Sequence, residues 1–332
     1  YNKYFFTGEI FEKKFEIFFK ENNKFKIEIL DTGIEADFLY KKNNLKNLIT
    51  GSSKVNILKN FLKFDFNVDS SQLEIIKSNF RSKLLSINFN SVIKYNPYFG
   101  IESVININKI DKFLFKNTSL EEILQKNKKI IKKINSVNQI NYKAKKYNND
   151  LVKSFSLNTK LAYGRLDFTN KILTSGADII CEGDSIITDQ YPRLNFVCSV
   201  KIQDTKKLFK KLSIPKNIKK NPFDVDVEGS LNIYNKKINF NKIKLKDDYL
   251  ANKEDKQYFK DAFEKILYDE DFFNIFKIDK IKSFFIAVIW SYSGFVIFIG
   301  LIILSYSFSL ISPALMTSFF NVVPFLWAVF AI

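Results

Sequence analysis

From about residue 4 to residue 110, apolar and polar side chains alternate in short runs separated by Asn-, Gly- and Lys-rich breaks, as strands with one wet face should. In "FKIEIL", Phe25, Ile27 and Ile29 share a face. "KFDFNVDS" repeats the pattern with Phe64, Phe66 and Val68, and "SINFNSVIKY" repeats it with Ile87 and Phe89 until Val92 and Ile93 blur the phase. "ENNK" at 21–24 reads as a hairpin turn.

The period changes in "NTSLEEILQKNKKIIKKIN". Leu120, Ile123, Leu124, Ile130, Ile131 and Ile134 recur at helical spacing, interrupted by Asn127, while Lys126, Lys128, Lys129, Lys132 and Lys133 take the other side. Thr118 with Glu121, or Ser119 with Glu122, makes a capping box, so an amphipathic helix and linker are expected over 111–150. Strands resume near Val152 and run to about Ile202. "DTKKLFKKLSI" then fits a short helix capped by Asp204 and stopped by Pro215. A strand pair follows at Phe223 to Leu245, and 251–282 reads as one or two amphipathic helices. Segments starting at Gly8, Gly164 and Gly229 share a pattern of glycine, any residue, apolar residue and a turn before a second strand, a weak repeat that fits a sheet extended by similar hairpins.

Alternation stops at Ser283. The 50 residues from there to Ile332 contain no charged side chain. A bilayer core needs about 20 residues of helix, so two spans fit, broken near Ser312 and Pro313. Phe284 to Phe308 reads as one span, holding Trp290, Gly294 and Gly300, and Thr317 to Ile332 as a second and shorter one, with Trp290, Tyr292, Tyr306 and Trp327 as interfacial residues. A soluble helical hairpin is the alternative. The ends at Tyr1 and "FLWAVFAI" read as those of a piece of a longer protein.

Composition narrows the chemistry. The chain has no histidine, which removes the commonest general base, the commonest metal ligand and every Ser-His or Cys-His nucleophile pair. Two cysteines alone cannot complete a four-ligand zinc site, and no glycine-rich phosphate loop occurs. No enzymatic activity, cofactor or metal is therefore expected. The net charge of +17 is almost all lysine, with only Arg81, Arg165 and Arg193 as arginines. Forked donors for base and phosphate recognition are thus scarce, and nucleic acid is not the expected partner.

Three groups of chemically capable residues merit weighing. Asp224, Asp226 and Glu228 in "DVDVEG" share a strand face and could hold calcium, but without a calcium-loop spacing they read as a solvated face among lysines. Asp269, Glu270 and Asp271 read as a helix start. In "LNFVCSVKI", Leu194, Phe196, Cys198, Val200 and Ile202 take the apolar face, and Cys181 keeps phase with Ala177 and Ile179, so both cysteines are expected to pack unpaired as small apolar groups. A turn centred on Asp189 and Gln190 would instead set Cys181 opposite Cys198, where an oxidising compartment could close a disulfide.

"QYPRLNFVCSVKIQDTKKLFKKLSIP", "VEGSLNIYNKKINFNKIKL" and "DYLANKEDKQYFKDAFEKILYDEDFFNIF" resemble the C-terminal region of AsmA-like proteins of Gram-negative bacteria, best from about Gly164 to Ile281. The resemblance implies an elongated, curved antiparallel sheet forming an open groove of repeated hairpins in the periplasm. It also implies attachment to the inner membrane and phospholipid passed between membranes in support of outer-membrane biogenesis, with other envelope proteins as partners. The groove lining it implies includes Leu194, Phe196, Cys198, Val200 and Ile202, with Phe64, Phe66 and Val68 on the earlier strands. A scaffold for outer-membrane protein assembly is the alternative. Such proteins look anchored by an N-terminal helix, whereas the apolar segment here is C-terminal. Lys277, Lys280 and Lys282 before it favour a cytoplasmic flank, against the direction a periplasmic groove requires.

Overall fold

The computed structural model describes residues 5–10, 13–20, 23–43, 47–110, 128–144, 152–212, 222–235, 237–245 and 249–268. Among these the protein is mostly β, with seventeen strands and three helices, and it divides into two compact units. The first unit holds a meander of β1 (Phe5–Ile10), β2 (Lys13–Lys20), β3 (Lys24–Ile29), β4 (Ile34–Asn43), β5 (Leu48–Ile57), β6 (Asn60–Val68), β7 (Gln72–Arg81), β8 (Leu85–Lys94) and β9 (Gly100–Ile110). Each strand pairs antiparallel with the one before it.

A short helix α1 (Lys128–Ile131) precedes β10 (Asn135–Lys143), and the boundary between the units falls inside that strand, after Ile140. The second unit continues with β11 (Val152–Ala162), β12 (Arg165–Thr174), β13 (Ala177–Ile186), β14 (Arg193–Ile202), helix α2 (Thr205–Leu212), β15 (Phe223–Asn232), β16 (Ile238–Leu245), β17 (Tyr249–Leu250) and helix α3 (Lys253–Tyr268). From β11 to β17 every strand is again antiparallel to its predecessor.

Alternation does what the sequence pattern requires. Along β14 the burial alternates strictly from Leu194 to Cys198, and along β6 Leu62, Phe64, Phe66 and Val68 are the buried set. The blurred phase in β8 resolves with Ile87, Ser91 and Ile93 inward and Val92 half-buried on the other face. One element lies where the sequence suggested otherwise. β10 occupies part of the stretch read as helix and linker, because "NSVNQINYK" buries only Ile140 strongly and so hides its strand period among polar residues. Residues 132–134 of the expected helix are not helical, and the part of it before α1 lies outside the described residues.

The turns and caps follow local chemistry. Tyr163 and Gly164, both at positive φ, form the two-residue turn that pairs Ala162 with Arg165. Asp204 caps α2 by accepting the Lys207 amide at 2.9 Å, a bond that holds its carboxyl below the usual range. Gly176, at φ +122°, lies so close to this helix start that an added Cβ would stand 2.3 Å from the Asp204 carbonyl oxygen. Asn252 and Asp255 cap α3 reciprocally, each side chain accepting the other's backbone amide. Phe259 of α3 is buried, and Glu264 accepts the Ile238 amide at the start of β16.

The three glycines of the sequence repeat do not share one structural position. Gly8 and Gly229 lie within strands, whereas Gly164 sits in a turn. What recurs is an aromatic ring over a strand glycine. Across five neighbouring strands of the second unit the register runs Phe168, Gly183, Phe196, Gly229, Phe240. A Cβ on Gly183 would lie 2.7 Å from the Phe168 ring, and one on Gly229 2.7 Å from the Phe196 ring. In the first unit Phe15 covers Gly8 and Phe66 covers Gly51 in the same way. Gly183→Ala should therefore force ring and backbone apart and lower stability by about 1–3 kcal/mol, read as a drop in the thermal midpoint by circular dichroism. Glu182→Ala, on the exposed face of the same strand, should leave the midpoint nearly unchanged.

Candidate functional site

The inner face of the second unit is apolar and closed to water. Leu194, Phe196, Cys198, Val200 and Ile202 are each at most 2% exposed. Their cross-strand neighbours continue the surface: Ile179 and Ala177 on β13, and Val225 and Val227 on β15. The buried polar members of this face are neutral, among them Thr159, Asn170 and Ser185. Charged side chains fall on the opposite pleat, as strand geometry demands.

Cys181 and Cys198 stand directly opposite each other with Cα atoms 4.1 Å apart, and they are joined by a disulfide. The expectation of unpaired packing is thereby corrected. The register is the one in which the β13–β14 hairpin centres on Asp189 and Gln190, so a one-residue difference in turn position decided the chemistry. Both cysteines are also buried on the apolar face, at 0% and 1% exposure.

"DVDVEG" lies on the wet face of β15. Asp224 is opposite Lys201, Asp226 is opposite Lys244, and Glu228 pairs with Lys242 at 3.0 Å. A lysine thus stands beside each carboxylate in register, one of them in an ion pair, and no group of three or more metal-ligating side chains occurs among the described residues.

The first unit carries the same kind of face, with Phe64 at 2%, Phe66 at 1% and Val68 at 7% exposure. Here the sequence reading missed a feature. An aromatic row crosses β2, β3, β4 and β6 through successive ring contacts, Phe19 to Phe25 at 6.0 Å, Phe25 to Phe38 at 4.6 Å and Phe38 to Phe66 at 6.1 Å. Burial falls steeply along it. Phe66 and Phe38 are sealed, Phe25 is half-buried, and Phe19 with its neighbour Phe6 is open to solvent. Two adjacent aromatics, as in Phe5-Phe6 and Phe18-Phe19, cannot both face inward on a strand. That break in alternation was the signal in the sequence.

No helix among the described residues is long and apolar enough to cross a membrane. Phe284, Trp290, Gly294, Gly300, Pro313 and Trp327 all lie outside the described residues. The geometry defines a mostly β protein of antiparallel meanders, each with one apolar face. No family model, curated protein or solved structure matches the chain.

The disulfide is directly checkable. Alkylation of the unfolded protein without reductant should label neither Cys181 nor Cys198, and prior reduction should expose both to mass spectrometry. The bridge closes over a sequence separation of 17, so replacing both cysteines by Ala should cost about 3 kcal/mol in the chain-entropy account.

Proposed function

We propose that this chain is a non-enzymatic, membrane-attached envelope protein of the AsmA-like kind that binds or conducts phospholipid along the apolar faces of its meanders. In this reading the sheet is elongated, curved and groove-like. Its main part lies in the periplasm, and residues 283–332 attach it to the inner membrane. The observation that carries the proposal is the aromatic row of the first unit, sealed at Phe66 and Phe38 and open at Phe19 and Phe6. An acyl chain can meet the open rings of Phe6 and Phe19 without displacing a packed core, and it follows the row to Phe38 and Phe66 only as their cover moves. The cross-strand disulfide supports an oxidising compartment, because cytosolic thiols are kept reduced.

One observation favours the runner-up, a structural scaffold for outer-membrane protein assembly. The β14 side chains are as closed as those of an ordinary core, so lipid reaches that face only if its covering protein moves. Val200, at 0% exposure, shows the consequence for stability. Val200→Asp should cost several kcal/mol through an unpaired buried carboxylate, whereas Val197→Asp, at a site 45% exposed on the same strand, should change the melting midpoint little.

The two functions separate by lipid photolabelling of the full chain reconstituted in vesicles. A phospholipid with its photoactivatable group at the acyl terminus should leave adducts on the peptides containing Phe38, Phe64 and Phe66. Labelling confined to 283–332 would instead favour the scaffold.

A further inference from the structure

One end of the first unit places apolar side chains in water on both faces of the sheet. Phe6 and Phe19 open on the inner face, 56% and 39% exposed, while Phe5 and Leu39 open on the outer face, 58% and 42% exposed. The register gathers them at one end: Phe5 lies opposite Phe18, and Lys20, Lys24 and Leu39 fall level across β2, β3 and β4. Tyr40 continues this end, half-buried, with its ring 5.8 Å from Phe25.

Lysines surround these side chains. Lys20, Lys24, Lys41 and Lys42 are all exposed at the same end. Lys20 is matched by Asp37 at 3.6 Å, but Lys24, Lys41 and Lys42 have no carboxylate partner among the described residues. The end is therefore apolar on two sides and cationic at its rim.

From this arrangement we infer that the β1–β4 end is a membrane-docking surface that inserts into the interface of an anionic phospholipid bilayer. A partner packed on one face would leave the aromatics of the other in water. A bilayer interface surrounds the end of a sheet from both sides, and aromatic rings concentrate at that depth. The lysines complement anionic headgroups, each gaining about fivefold in partition near such a surface, and their stems reach past the rings to the phosphates. The inference rests on the phospholipid reading above and adds where the lipid is met and which headgroup charge is preferred.

The test uses the full chain reconstituted in vesicles containing a phospholipid whose photoactivatable group lies beside the phosphate, with adducts mapped by peptide mass spectrometry. In phosphatidylcholine–phosphatidylglycerol vesicles, adducts should concentrate on peptides covering Phe5 to Lys24 and Leu39 to Lys42, and in phosphatidylcholine alone they should fall at least about tenfold. The triple variant Lys24→Glu, Lys41→Glu, Lys42→Glu should lose the anionic preference while its circular dichroism stays unchanged, since all three side chains are exposed. Replacing Phe5, Phe6, Phe19 and Leu39 by Ser should remove the adducts; should that variant unfold, the lysine variant alone decides. Equal labelling in the two lipids, labelling untouched by the lysine reversals, or no adducts at this end in a folded protein would each overturn the inference. The acyl-terminal probe reports separately. Adducts at Phe64 and Phe66 without headgroup labelling at β1–β4 would leave lipid binding standing and remove the docking surface, and the reverse would do the opposite.

Discussion

Everything in this structure follows from a one-sided sheet. A strand pairs its backbone with two neighbours and sends alternate side chains to opposite faces, so a meander with apolar residues at every second position makes a surface that water cannot be left to cover. In the second unit that surface is closed, with Ile179, Val200 and Ile238 at 0% exposure. In the first it grades from closed at Phe66 to open at Phe6. The contrast between these two solutions to one constraint is what gives the open end its functional interest.

Packing on the closed face uses a restricted set of devices. Phenylalanine rings lie over strand glycines, which lets a large side chain spread across the neighbouring strand where a Cβ would collide with it. A disulfide fixes one cross-strand pair in the same layer. Hydroxyls are the commonest polar intruders. The buried polar side chains of both units are uncharged, and in the first unit Ser91 and Ser103 satisfy each other at 2.8 Å.

Much of this was legible because strand period is written in the residues themselves. Phe64, Phe66 and Val68 could be placed on one face from spacing alone, and so could the five inward residues of β14. The Asp204 cap was legible because a helix start needs an acceptor there. What was not legible depended on register or on weak amphipathicity. The cysteine pairing turned on whether a hairpin centres on Asp189 and Gln190 or one residue later, and both turns keep the same alternation. β10 was hidden because only Ile140 of its nine residues is strongly buried. The open aromatic end was written in the doublets Phe5-Phe6 and Phe18-Phe19, but seeing it required knowing that four strand ends meet at one edge.

The central claim is that an apolar sheet face of this protein takes up phospholipid acyl chains. Native mass spectrometry of the full chain released from micelles tests it most directly, because bound phospholipid adds discrete masses that survive activation sufficient to strip detergent and loosely held lipid. The account predicts such persistent phospholipid adducts. A folded chain that emerges bare under the same activation contradicts it.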